Sequence, residues 1–192
     1  MIPTGSALLV IDVQKGFDAP GWGPRNNPGA EGTVARLLER WRSAGWPVVH
    51  AQHVSVEDGS ALGPGKPGVE IKPEAEPWKG EPLFQKSVNS AFIGTGLEDY
   101  LRSEGIESLV MVGLTTNHCV STTARMAGNL GFRVFVVEDA TATFDCRGPD
   151  GTVHAAELVH SVSLASLHGE FATVVGSADV LSALELSGAD GT

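Results

Sequence analysis

The sequence predicts an α/β protein, a three-layer α/β/α sandwich built on a parallel sheet. Three observations predict it. Short, continuously apolar runs recur along the chain, as expected of strands buried on both faces. They alternate with segments whose apolar residues follow the helical period, so that successive strands are joined by right-handed crossovers. The 192 residues, 42% of them hydrophobic, suffice for one substantial core, and a single domain over residues 1–192 is the expectation.

The elements follow in order. Ala7-Leu-Leu-Val-Ile11 reads as the first strand. Residues 30–43 carry Val34, Leu37, Leu38 and Trp41 at helical spacing and close at Gly45. Pro47 to His53 gives a second strand, Leu83-Phe84 a short third, residues 96–104 a helix, and Ser108 to Val112 a fourth strand. Val120, Ala124 and Ala127 mark a helical face ahead of a fifth strand, Arg133 to Glu138. Ala155, Leu158, Val159 and Val162 repeat the helical spacing, Ala172 to Val175 is a sixth strand, and Ser177 is read as the N-cap of a last helix through Leu186. Residues 54–81 break the rhythm, with proline and glycine throughout and no period. So long a loop at the carboxyl end of a strand reads as a wall or lid of a site.

Composition excludes several classes. A net charge of −10 disfavours nucleic-acid binding, which needs a basic face. No apolar run is long enough for a bilayer, and residues 1–6 lack the basic start of a secretion signal. The two cysteines, Cys119 and Cys146, form no disulfide framework, so a cytoplasmic setting is expected.

Cys119 lies in Gly113-Leu-Thr-Thr-Asn-His-Cys-Val-Ser-Thr-Thr-Ala-Arg125, at the seam between an apolar strand and a helix. A thiol in a first helical turn faces backbone N–H groups and the positive end of the dipole, which favour thiolate and can hold a neighbouring oxyanion. Asp12 leaves the first strand in Val10-Ile-Asp-Val-Gln-Lys-Gly-Phe17, where a carboxylate must be paired, hydrogen-bonded or catalytic. Lys86 follows the third strand and could balance both. Each residue lies at or just past the carboxyl end of a predicted strand in one sheet, so the three can converge on one crevice. Gln14 could orient a substrate amide or tie the loop down, and Phe17 reads as pocket wall or core. His53, at the end of the second strand, and Trp78, in the long loop, are candidate substrate contacts. His118 precedes the nucleophile and should point about 100° away from it on a helix.

These residues resemble the isochorismatase-like cysteine hydrolases, a family that includes nicotinamidases and N-carbamoylsarcosine amidases. The resemblance rests on ordered blocks: Asp12-Val-Gln14 with Phe17; Lys86 with Asn89-Ser-Ala-Phe92; Gly113-Leu-Thr-Thr116 leading to Cys119-Val120 and Thr123-Ala-Arg125; and Asp139-Ala140 with His154 and Leu167-His-Gly-Glu-Phe-Ala172. It implies a six-stranded parallel sheet of Rossmann-like order with Asp12, Lys86 and Cys119 as the catalytic triad. A cis Leu114–Thr115 peptide is implied as well, turning the Thr115 N–H toward the Cys119 N–H as an oxyanion hole, and Phe92 joins the substrate contacts. The activity implied is hydrolysis of a small amide or carbamoyl C–N bond through a thioester, without a cofactor, in a homodimer or higher homo-oligomer. Trp22 and Trp78, in predicted loops, leave room for an apolar interface.

Nicotinamidases of this family hold a metal beside the second strand through an Asp-x-His pair. The matching stretch here, Val48-Val-His-Ala-Gln-His-Val-Ser55, lacks that Asp, and His50 and His53 fall on opposite faces of a strand, so no metal is expected. Isochorismatases proper cleave a vinyl ether without a cysteine at the position of Cys119, which leaves that chemistry as an alternative, alongside an idle binding protein on the same scaffold. The expected partner is a small neutral or weakly charged substrate.

Overall fold

A computed structural model describes residues 2–189, with side chains through Leu184. Strands β1 (Ala7–Ile11), β2 (Val48–His53), β3 (Leu83–Lys86), β4 (Ser108–Leu114), β5 (Arg133–Ala142) and β8 (Thr173–Val175) form one sheet in the order β3-β2-β1-β4-β5-β8. Every pairing in it is parallel, as the alternation of strands and helices requires. Short strands β6 (Cys146–Arg147) and β7 (Val153–His154) pair antiparallel outside it.

The pleat divides the core in two. Along β1, Ala7, Leu9 and Ile11 face one layer while Leu8 and Val10 face the other. Helices α2 (Leu97–Ser103), α3 (Ser121–Asn129) and α4 (Ala156–Leu167) cover the first face with Leu97, Leu101, Ala124, Ala127, Leu164 and Leu167. Helices α1 (Ala30–Ser43) and α5 (Ser177–Ala189) cover the second. The α1 stripe Val34, Leu37, Leu38 and Trp41 is fully buried, and the Trp41 indole N–H donates to the Ser6 carbonyl at 2.8 Å.

Two local readings are corrected. On α4 the buried residues are Ala156, Leu164 and Leu167, whereas Leu158 and Val162 are exposed, so the apolar spacing of that helix marked its outer face. Ser177 does not cap α5 with its side chain. Its N–H and Oγ–H both donate to the Asp139 carboxylate, which stabilises the positive end of the helix from within β5.

The strand order reverses between β1 and β4, and their carboxyl ends open a crevice there. Gly113 makes the junction possible. Its φ is +119°, β4 shifts register against β5 between Met111 and Gly113, and a Cβ at this position would lie 1.9 Å from the Ile11 carbonyl oxygen. Gly113→Ala should therefore force β4 away from β1, costing about 2 kcal/mol or more. Chemical denaturation checks this, and an unchanged midpoint would contradict the contact.

Candidate active site at the carboxyl rim of the sheet

Asp12 is the first residue beyond β1. Its N–H still bonds the Ala51 carbonyl of β2, but its φ of +52° turns the chain out of the sheet. Lys86 ends β3 and reaches across β2 to it. The ammonium lies 2.6 Å from Asp12 Oδ2, 3.2 Å from the Val88 carbonyl and 3.3 Å from His53 Nδ1. Both members of this ion pair are completely buried. The second carboxylate oxygen, Asp12 Oδ1, is buried and has no hydrogen-bond partner among the described residues.

Cys119 sits in a widened helical turn, Thr116–Val120, that leads into α3. The preceding Leu114–Thr115 peptide is cis. Two side-chain bonds hold the turn: Thr116 Oγ1 to His160 Nδ1 of α4 at 2.9 Å, and the Thr143 hydroxyl to Asn117 Oδ1. One ligand-type atom each of Asp12, His53 and Cys119 lies within 4.8 Å of the others, and the sulfur is 3.8 Å from Asn89 Oδ1.

Electrostatics define the resting state. Burial pushes the Asp12 carboxyl up, opposed by the Lys86 charge and hydrogen bond. Burial also drives the Cys119 thiol up, reinforced by the Asp12 charge, to about 12. The expectation that the helix terminus favours thiolate is corrected: desolvation and a neighbouring anion outweigh the dipole, so the thiol rests protonated beside a carboxylate of raised basicity. His53 is lowered by burial and then by Lys86, and stays neutral.

The sulfur opens into a cavity of about 580 Å³. Thr115 and Cys119 form its floor, Phe17 and His53 part of its sides, and Ser55, Val56, Glu57, Ser60 and Leu62 of the long loop one wall. Trp22 completes an aromatic corner, its ring 5.1 Å from Phe17 and 5.2 Å from Phe144, its indole N–H bonded to the Gly16 carbonyl.

Comparison with known proteins decides the family. The isochorismatase domain matches residues 6–179. The chain belongs to the isochorismatase family. It is 47% identical over 169 residues to the isochorismatase family protein YrdC of Bacillus subtilis, covering 88% of this chain and 90% of that one. An isochorismatase-family crystal structure from Chromobacterium violaceum superposes with a TM-score of 0.93 at 48% identity, covering 97% of each chain. Nicotinamidase 3 of Arabidopsis thaliana is 33% identical over 183 residues, covering 88% of this chain and 84% of its own. The chain is thus an isochorismatase-family hydrolase whose six-stranded parallel sheet is that of the family.

Within this isochorismatase-family site, some predicted contacts lie elsewhere. Gln14 does not face the cavity: because β1 ends at Ile11, its amide turns inward, donating to the His53 and Val69 carbonyls at 2.9 Å and accepting from the His53 N–H at 2.8 Å. It ties the long loop to β2. Phe92 turns away into the core, its ring 5.9 Å from Phe132. Trp78 lies at the opposite rim of the sheet, in a hollow with Trp46 and Pro47, under the Arg42 guanidinium at 4.3 Å. His118, expected to point away, lines the cavity, because the wide turn does not keep the 100° step of an α-helix. Sequence reasoning gave no individual role in the cavity to the lining residues Trp22, Val56, Glu57, Leu62, Val88 and Asn89, although its reading of residues 54–81 as a wall takes in Val56, Glu57 and Leu62, and a resembling block takes in Asn89.

His50 and His53 do not converge. His50 is buried on the other face with Nε2 2.8 Å from Glu81 Oε2. A cation among Asp12, His53 and Cys119 would meet the Lys86 ammonium already within 3.3 Å of two of them, so these residues fit a metal poorly.

Lys86→Met should destabilise the fold by about 3 kcal/mol or more, since it strands a buried carboxylate. The unpaired Asp12 would have a folded pKa above its unfolded value of about 3.9, so the loss is greatest at high pH and fades as pH falls. Denaturation at pH 8 and pH 5, with Asp12→Asn/Lys86→Met recovering most of the loss, tests the coupling. Equal stability of the single variant and wild type at both pH values would refute it.

Proposed function

We propose that this hydrolase cleaves a small, non-peptide amide or carbamoyl C–N bond through a thioester on Cys119. The observation that carries the reading is the free Asp12 Oδ1, buried and unpaired among the described residues, on a carboxylate within 4.8 Å of the sulfur. A buried acceptor without a donor is costly unless a proton is to arrive there. Similarity to Nicotinamidase 3 supports C–N chemistry.

In the reading, Asp12 takes the Cys119 proton as the sulfur attacks the carbonyl carbon and forms the C–S bond. The electron pair of the carbonyl moves to oxygen, and the Thr115 and Cys119 N–H groups hold that oxyanion. Collapse breaks the C–N bond, and Asp12 gives its proton to the departing nitrogen. A water then attacks the thioester, losing a proton to Asp12, and the acid leaves as the proton returns to sulfur. Lys86 holds Oδ2 throughout, so the proton travels on Oδ1. The vinyl-ether alternative gives Cys119 no such task.

The reading extends to setting and assembly. Two free thiols suit a reducing, cytoplasmic compartment. The exposed Leu158 and Val162 of α4 suit burial against a second copy of the chain, which makes a homo-oligomer the expected form.

Cys119→Ala should lower turnover of amides by about 10⁴-fold or more. With wild type, mass spectrometry should find the acyl group on Cys119, and an ammonia-coupled screen of small amides identifies the substrate. Near-normal rates for Cys119→Ala, or vinyl-ether hydrolysis that survives thiol alkylation while no amide turns over, would overturn the reading.

A further inference from the structure

The cavity above Cys119 is unequal in its chemistry. Phe17, Trp22, Leu62 and the exposed Val56 and Val88 make it largely apolar. Among its lining residues Glu57 is the one side chain of fixed charge. Asp12 and Lys86 lie beneath, both buried and neutralising each other.

Glu57 is held on the wall by a closed turn. Its N–H donates to Ser55 Oγ at 3.2 Å and its carbonyl accepts from the Ser60 N–H at 3.3 Å, while the Ser55 N–H bonds the Leu62 carbonyl at 2.9 Å. The Glu57 charge also acts on the His53 imidazole, opposing the effect of burial. Lys66, the cation of this loop nearest to Glu57 in sequence, is tethered to the Ser60 carbonyl at 2.6 Å, and none of the loop's lysines is among the lining residues. An anionic solute entering here meets a carboxylate and no cation. A cationic one meets Glu57 and the Trp22 ring, whose π-system can attract positive charge.

We propose that the cavity selects solutes with an apolar body and a positively charged group, and that Glu57 is the specificity-determining residue. Resting on the amide reading, the substrate class is then an amide bearing an ammonium or guanidinium group, its apolar part against Phe17 and Trp22 and its charge at the mouth.

The test does not depend on turnover. In a Cys146→Ser background, Cys119 is treated with three methanethiosulfonates: trimethylammonium-ethyl, sulfonatoethyl and the neutral methyl reagent. In each, the sulfur of Cys119 forms a disulfide with the reagent's sulfenyl sulfur as methanesulfinate leaves and the thiol proton passes to solvent. Rates from intact mass spectrometry are divided by those with 2-mercaptoethanol, and the neutral reagent is the reference in every variant. The cationic reagent should outpace the anionic one by about ten-fold at low salt. Glu57→Gln should bring the ratio close to one. Asp58→Asn removes the same unit of charge outside the lining and should leave the ratio in place.

A wild-type ratio near one overturns the proposal, as does an equal fall in both variants, which would assign the preference to the overall charge of −10. Failure of all three reagents to label Cys119 overturns it too, since the cavity would then not lead to the sulfur. Charge-selective labelling with no turnover of cationic, neutral or anionic amides would defeat the amide reading and leave the selectivity standing.

Discussion

The Asp12–Lys86 ion pair is the constraint on which the site depends. Removing two charges from water costs several kcal/mol each, and only close geometry with further hydrogen bonds offsets it. The protein supplies that geometry from three adjacent strands. β1 delivers the carboxylate, β3 the ammonium, and β2 between them contributes His53, with the Val88 carbonyl taking a further ammonium proton. A shift of one residue in the β1–β2 or β2–β3 register would carry one charge to the other side of the sheet and leave its partner stranded. The pair therefore fixes register as well as chemistry.

It also sets the protonation of the sulfur. A thiol near a helix start is expected to acidify, but Cys119 is largely buried among apolar residues and faces the anionic member of the pair. Lys86 offsets this only in part. On the proposed mechanism the site thus pairs a proton acceptor with a thiol that becomes nucleophilic as Asp12 takes its proton. A protonated resting sulfur is protected from adventitious oxidation, since oxidants attack thiolate.

Much of this was legible in the sequence because it obeys short-range rules. The β1 run, the α1 stripe ending at Trp41 and the strand–helix alternation are period signals that burial enforces directly, and all survive in the structure. The convergence of Asp12, Lys86 and Cys119 followed from each residue lying at or just past the carboxyl end of a parallel strand. What escaped depends on backbone departures that side-chain patterns do not encode. The positive φ of Asp12 turned Gln14 from the crevice to the loop, and the wide turn at Thr116–Val120 swung His118 into it. The pairs of residues in β6 and β7 are too short to carry a period. On α4 the apolar spacing was real but faced outward, and periodicity alone does not say which side of a helix meets the sheet.

The long loop shows how one irregular segment serves two ends. Its first third, Ser55 to Leu62, walls the cavity, while further on Lys72 reaches Asp18 and, at 2.8 Å, Glu31 at the start of α1. Glu31 also holds Arg25 through both oxygens, and although burial opposes ionisation, the bonds from Arg25 and Lys72 keep its carboxyl down at about 2. The anchoring is thus electrostatic and local, with Gln14 adding hydrogen bonds from the Asp12 side. None of these anchors touches Val56 or Glu57, which project from a turn closed by its own bonds. Residues at the mouth can therefore change without loosening the strap, whereas the reacting groups are bound into the sheet register. On the proposed reading, chemistry and selectivity rest on separate parts of the fold, so the mouth can change without disturbing Asp12, Lys86 and Cys119.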